Sequence, residues 1–173
     1  MQEVLNTEEQ KIWRILDTVN DPEIPVLSIT DLGIVRAVVV NPSPQGGGWE
    51  GAVIITPTYT GCPAMDMIAM NIKLALLEHG YTNVKVTSVL SPAWTTDWMS
   101  AAGKEKLKAY GIAPPNPKQA VCDDRLFAKE EAVQCPHCNS VHTKRISEFG
   151  STACKALYQC VDCREPFDYF KCH

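Results

Sequence analysis

Cys135-Pro136-His137-Cys138 and Cys160-Val161-Asp162-Cys163 are two CxxC turns separated by 21 residues, close to the end of a 173-residue chain. Four thiolates on two short turns are the donor set of a zinc ribbon, in which two knuckles close a tetrahedral shell around one ion. A closed shell leaves no position for a reacting molecule. One structural Zn2+ is therefore expected on Cys135, Cys138, Cys160 and Cys163. Such an ion stabilises a module too small to rely on its core alone. Iron on the same four ligands is the rival assignment.

Outward from the turns, the chain divides into three. Residues 133–173 form the ribbon module. Residues 113–132 form a proline-containing linker, because Ala113-Pro114-Pro115-Asn116-Pro117 reads as a stiff, extended spacer. Residues 1–112 remain for one α/β domain. Thr7-Glu8-Glu9-Gln10 reads as a capping box ahead of Ile12, Ile15, Leu16 and Val19 at helical spacing. That helix should stop before Asp21-Pro22. Strands are expected over 34–40 and 52–56, joined by the turn Asn41-Pro42-Ser43-Pro44-Gln45-Gly46-Gly47-Gly48.

A helix over 63–79 follows, with Met65, Ile68, Ile72, Ala75 and Leu76 on one face and Gly80 past its end. Met67, Met70, Leu74 and Leu77 widen its apolar surface, which predicts burial on more than one side, with methionines as core filler. A third strand is expected over 84–90 and a short polar helix over 101–110, ended by Gly111. The second strand, long helix and third strand make a βαβ unit, expected to be right-handed. The fold class is therefore α+β: a small mixed sheet with packed helices in the order α-β-β-α-β-α, followed by a zinc ribbon.

The formal charge is −4, so no polyanion-binding surface is indicated. The residues from 121 onward hold 7 basic and 8 acidic side chains, which argues against a nucleic-acid-binding ribbon. No leader-like start and no membrane-length apolar run is present in the sequence, so a reducing cytoplasm is expected. There, CxxC pairs are metal ligands more often than disulfides.

Cys62 lies in Thr58-Tyr59-Thr60-Gly61-Cys62-Pro63-Ala64, between a strand and the long helix. Proline suits the first helical position, which puts Cys62 at or beside the N-cap. The helix dipole would lower the thiol pKa there, making a better nucleophile or metal ligand. The plain alternative is a small buried cysteine at a junction. A complete metal site at Cys62 would need a second chain, as in a homodimer, a distant segment or a partner protein.

Asp21, Glu23 and the nearby Asp31 are either acid–base carboxylates or caps of a solvated loop. In Trp94-Thr95-Thr96-Asp97-Trp98, two tryptophans bracket Asp97; they either cover the core or form a recognition surface. Cys122, Cys154 and Cys172 are left over. Cys154, Cys172 and His173 are a candidate second thiol site, with His137 or His142 as further donors; the alternative is spare thiols.

Asp21-Pro22-Glu23-Ile24-Pro25, Ser28-Ile29-Thr30-Asp31-Leu32-Gly33 and Thr56-Pro57-Thr58-Tyr59-Thr60-Gly61-Cys62-Pro63 resemble the domain shared by SufT-type iron–sulphur assembly factors. Pro92-Ala93-Trp94-Thr95-Thr96-Asp97-Trp98-Met99, the run Phe149-Gly150-Ser151-Thr152-Ala153-Cys154-Lys155-Ala156-Leu157-Tyr158 and Glu165-Pro166-Phe167-Asp168-Tyr169-Phe170-Lys171-Cys172 resemble the D-protein family of the bacterial phenylacetyl-CoA epoxidase system. The resemblance covers nearly the whole chain. It implies an accessory that matures a multicomponent monooxygenase of aerobic phenylacetate degradation, not a catalytic component. That complex has a di-iron oxygenase component and a reductase with flavin and a 2Fe–2S cluster. Either component, together with the iron–sulphur assembly machinery, is then an expected partner.

The residues agree with that expectation. No carboxylate/histidine helix pair for di-iron and no GxGxxG after a strand is present in the sequence. The expected role is transient binding of iron or an Fe–S cluster by Cys62 and its transfer to an acceptor, with the ribbon docking or stabilising. Two alternatives stand beside it: thiol–disulfide exchange through Cys62 or a CxxC pair, and a nucleic-acid-binding ribbon.

Overall fold

The computed structural model describes residues 7–42, 49–115 and 133–171. The chain divides into two compact units, Met1–Trp94 and Thr95–His173.

The first unit opens with α1 (Thr7–Leu16), which buries Ile12, Ile15 and Leu16 at i, i+3 and i+4. It ends before the expected Val19, which is buried in the following turn. The loop after it is ordered by its own polar residues. Asp21 Oδ1 accepts the backbone N–H groups of Glu23 and Ile24, both at 2.8 Å. Ser28 Oγ accepts the Asp31 N–H at 3.0 Å, and Asp31 Oδ2 accepts the Ser28 N–H at 3.4 Å. The two prolines of this loop have no N–H to satisfy, so side-chain oxygens take over the role of a ladder.

β1 (Val35–Pro42) and β2 (Trp49–Ile55) form the expected hairpin, antiparallel from Val35↔Ile55 to Pro42↔Trp49. Both strands run further toward the turn than their β-branched cores suggested. Residues 43–48 of that turn lie outside the described residues. α2 (Met65–Glu78) then leads to β3 (Asn83–Ser88), which pairs parallel with β2 to complete a mixed sheet of order β1-β2-β3. Ile68, Ile72 and Leu76 of α2 are buried. The expectation of burial on further sides is not met: Met67, Met70, Leu74 and Leu77 are 51% to 62% exposed. A three-stranded sheet offers one helix only one face to cover, so the widened apolar stripe faces outward.

The second unit begins with a single 3-10 turn, Thr96–Trp98, and α3 (Ala101–Ala109), capped by the Ser100 hydroxyl accepting the Gly103 N–H at 2.8 Å. β4 (Ile112–Ala113) pairs parallel with β7 (Pro166–Phe170). With β5 (Thr143–Ser147) and β6 (Lys155–Cys160), the sheet has the order β4-β7-β6-β5. The boundary expected at residue 112 thus differs from the division seen at Trp94. The last helix expected in the first domain, and the first residue of the expected linker, belong with the ribbon. Hydrogen bonding of Ile112 and Ala113 to the edge of β7 is the cause, and no periodicity in a two-residue strand announces it. The rest of the expected linker from residue 116, to 132, lies outside the described residues.

The core of this unit is Ala113, Val133, Cys135, Cys160, Phe167 and Tyr169, with Tyr158 and Cys163 packed against it. Two of the metal-type cysteines are therefore also core residues. Gly111 (φ 87) lies so close to the first knuckle that an added Cβ would sit 3.3 Å from His137 Cε1. Both its left-handed backbone and this approach favour glycine.

Candidate functional site

The two CxxC turns fold alike, residue for residue. The Cys135 N–H donates to Ser140 O at 2.8 Å, and the Cys160 N–H donates to Glu165 O at 3.0 Å. The residue after each second cysteine has a left-handed backbone, Asn139 at φ 61 and Arg164 at φ 63. This reverses the chain and aims the following amides at sulfur. The Ser140 N–H donates to Cys138 Sγ and the Glu165 N–H to Cys163 Sγ. The Cys163 N–H, then the Cys138 thiol and the Asp162 N–H, stabilise the Cys160 thiolate and draw its pKa down to about 7.

All four Sγ atoms lie within 4.8 Å of one another. Cys135 Sγ and Cys163 Sγ are 3.8 Å apart, and Cys138 Sγ and Cys160 Sγ 3.5 Å. A tetrahedral ion with Zn–S bonds of about 2.3 Å places sulfurs about 3.8 Å apart. The cage therefore fits zinc in donor type, number and spacing. Around it, Asp162 joins the two knuckles. Its Oδ2 accepts the Ser140 hydroxyl at 2.5 Å and lies 3.2 Å from His142 Nδ1. These contacts, Ser140 first, hold the Asp162 carboxyl below the ordinary carboxylate range. His142 is thus an outer-layer residue, and His137 lies against Gly111; neither supplies a ligand to the cage. The Ser140–Asp162 link escaped sequence reading, although the parallel between residues 135–140 and 160–165 was its available signal.

Cys62 is half-buried in the loop between β2 and α2. Its N–H donates to Tyr59 O at 3.3 Å, and Gly61 (φ 84) makes the turn. Helix α2 starts at Met65 with Ala64 as its cap, later than the expected start at 63. The Ala64 N–H and the Tyr59 side chain stabilise the sulfur, but burial outweighs them, and the carboxylates of Glu23 and Asp21 add to it. The thiol pKa is raised, not lowered. The expected activation by the helix start is overturned, because the thiol is partly desolvated and faces two negative charges. At neutral pH Cys62 is a neutral thiol. The DPEIP loop and Cys62, distant in sequence, are thereby neighbours.

Asp21 holds its own loop as described, and Glu23 is half-buried. Trp94 is buried at 3% exposure, and its indole N–H donates to Leu32 O at 2.9 Å, so it covers the core of the first unit. Asp97 is exposed and Trp98 half-buried, both in the second unit. Cys154 is buried, with its sulfur 3.0 Å from the Thr152 hydroxyl. Cys122, Cys172 and His173 lie outside the described residues. Among the described residues, the ribbon cage is the single cluster of three or more metal-type donors. Thr56, at the end of β2, is 1% exposed, and its hydroxyl has no partner among the described residues.

Residues 9–89 match the model of the iron-sulfur cluster assembly protein family, and residues 119–171 match that of the PaaD zinc beta ribbon domain. Over 94% of its length the chain is 52% identical to a protein of Escherichia coli (strain K12), across 92% of that protein; the relative is named, provisionally, as the D component of 1,2-phenylacetyl-CoA epoxidase. The chain belongs to the phenylacetyl-CoA epoxidase D-component family. Within this D-component family member, the assembly-type part has relatives of its own. Over 57% of the chain it is 40% identical to a protein of Porphyromonas gingivalis (strain ATCC BAA-308 / W83), 88% of which is covered, named Fe-S protein maturation auxiliary factor. The crystal structure of a domain of unknown function from Bacillus anthracis matches 57% of the chain and 90% of that domain, at 28% identity and a TM-score of 0.50. No described helix of this D-component family member is long and apolar enough to cross a membrane.

Proposed function

We propose that this D-component family member is a non-catalytic maturation factor of a multicomponent phenylacetyl-CoA epoxidase in the cytoplasm. In this reading Cys62 takes up iron or an Fe–S cluster as cargo and passes it to the reductase or the di-iron oxygenase component. The ribbon carries one structural zinc and docks or stabilises. The observation that carries the reading is the environment of Cys62: a half-buried, protonated thiol beside Glu23 and Asp21, in the part of the chain that matches iron–sulphur assembly proteins. A single half-exposed thiol, with carboxylates acting on it only through their charge, is a weak and open donor, which suits cargo that must leave again. The four-thiolate cage is closed and suits a resident ion.

Thiol–disulfide exchange is less well supported. An exchanging cysteine benefits from thiolate character at neutral pH, and Cys62 lacks it. Both CxxC pairs face one another across the cage rather than standing free.

The test is co-expression with the epoxidase components under anaerobic handling. Cys62→Ala should lower the iron content of the isolated reductase or oxygenase while leaving this protein folded and its zinc content unchanged. Acceptor iron equal to that obtained with the unaltered chain would overturn the reading.

A further inference from the structure

The first unit has a cavity of about 350 Å³ lined by Lys11, Arg14, Ile15, Thr18, His79 and Tyr81. It lies between α1 with its following turn and the C-terminal end of α2. Its volume is at the lower end of the range for small-molecule sites. Ile15 and Tyr81 are buried and give it an apolar floor.

The polar groups divide into those already used and those left over. The Thr18 hydroxyl donates to Ile15 O at 2.7 Å, and the Tyr81 hydroxyl to Glu8 Oε2 at 2.8 Å. The second Glu8 oxygen accepts from Lys11 Nζ at 2.7 Å. Both oxygens of Glu8, the carboxylate that Lys11 and Tyr81 share, are thus engaged. Among the described residues, the Arg14 guanidinium has neither a hydrogen bond nor an ion pair, and it offers five N–H donors in a fixed plane. Lys11 keeps two N–H donors beyond its pair with Glu8. His79 is the C-terminal cap of α2, where a helix favours positive charge. Its Nδ1 lies 2.8 Å from Ala75 O, and since a carbonyl only accepts, Nδ1 carries the proton; Nε2 donates to an anion only in the doubly protonated ring, so the cavity's donors to an anion are Arg14 and Lys11.

We infer that this cavity binds a small oxyanion, a phosphate or carboxylate group, with the Arg14 guanidinium as its principal contact. The unused donors of Arg14 and Lys11 are cationic, the Glu8 carboxylate is occupied, and the apolar floor accommodates an attached organic part. A phosphate group and a carboxylate share the planar pair of acceptor oxygens that a guanidinium matches. The site is separate from Cys62 and from the thiolate cage, and nothing in it depends on cargo transfer.

The test is a titration of the zinc-loaded, full-length protein, followed by backbone amide NMR at constant ionic strength. Inorganic phosphate is one probe and sodium benzoate the other. Saturable shifts centred on Arg14, Thr18 and Tyr81 are expected with at least one probe, and the relative affinities identify the favoured group. Arg14→Gln, at an exposed position, should keep the fold and weaken that binding about tenfold or more. Absence of saturable shifts from either probe up to about 20 mM would overturn the inference. Binding of equal strength in Arg14→Gln would overturn it as well.

Discussion

Tyr81 donates its hydroxyl to the Glu8 carboxylate at 2.8 Å, joining residues 73 positions apart and tying the start of α1 to the turn after α2. Burial and then the Glu8 carboxylate raise the Tyr81 pKa from 10 to about 12. The Lys11 and Tyr81 hydrogen bonds hold Glu8 below its ordinary 4.5. The tyrosine contributes stability that is intact below pH 10 and lost as pH rises from 10 to about 12. The glutamate contributes stability that is intact above pH 4.5 and lost as pH falls through its lowered pKa. Thermal midpoints should therefore fall on both flanks. Tyr81→Phe should flatten the alkaline fall; an unchanged alkaline profile would remove the pair from the stability of the fold.

Cys62 should react slowly with iodoacetamide near neutral pH, because only the thiolate attacks. Peptide-level mass spectrometry should place its alkylation midpoint above 9, the ordinary thiol value from which its pKa is raised. Glu23→Gln removes a carboxylate that opposes the thiolate, so alkylation at pH 8 should become faster. A slower or unchanged rate in that variant would mean that Glu23 does not face the sulfur electrostatically.

Cys160→Ser should release the ribbon ion. The thiolate lies in the core of the second unit as well as in the cage. One substitution therefore removes a ligand and disturbs Phe167 and Tyr169 beneath it. Limited proteolysis should cut within 133–171, and one equivalent of zinc should be lost by elemental analysis. A chelator added to the unaltered chain should have the same effect. A protease-resistant, metal-free ribbon would contradict a metal-dependent fold.

Thr56→Val should stabilise the first unit by about 0.5–1 kcal/mol, since a hydroxyl buried without a partner costs more than an isosteric methyl. Urea denaturation reads this as a higher midpoint at unchanged slope. If the variant is destabilised instead, the hydroxyl has a partner in solution.

Much of this molecule is legible along the chain. The two knuckles are local: a cysteine, two residues and a second cysteine fix a turn by themselves. Their pairing follows from there being one ion for four thiolates. The amphipathic spacing of Ile12, Ile15 and Leu16, and of Ile68, Ile72 and Leu76, likewise declares its helices and their buried faces. Periodicity reports which side chains seek burial, and these found it.

What the chain could not declare was who their neighbours would be. Met67, Met70, Leu74 and Leu77 are as apolar as the buried face of α2, yet they are exposed, because the opposing sheet is only three strands wide. Ile112 and Ala113 read as the end of the first domain and the start of a linker, until the edge of β7 supplied hydrogen bonds for them. The Cys62 pKa depended first on burial and then on Glu23 and Asp21, which a helix-start argument from 62–65 leaves out. Local geometry follows from local sequence through backbone sterics and nearby hydrogen bonds. Burial and charge environment are set by long-range contacts, so the tertiary structure alone decided them.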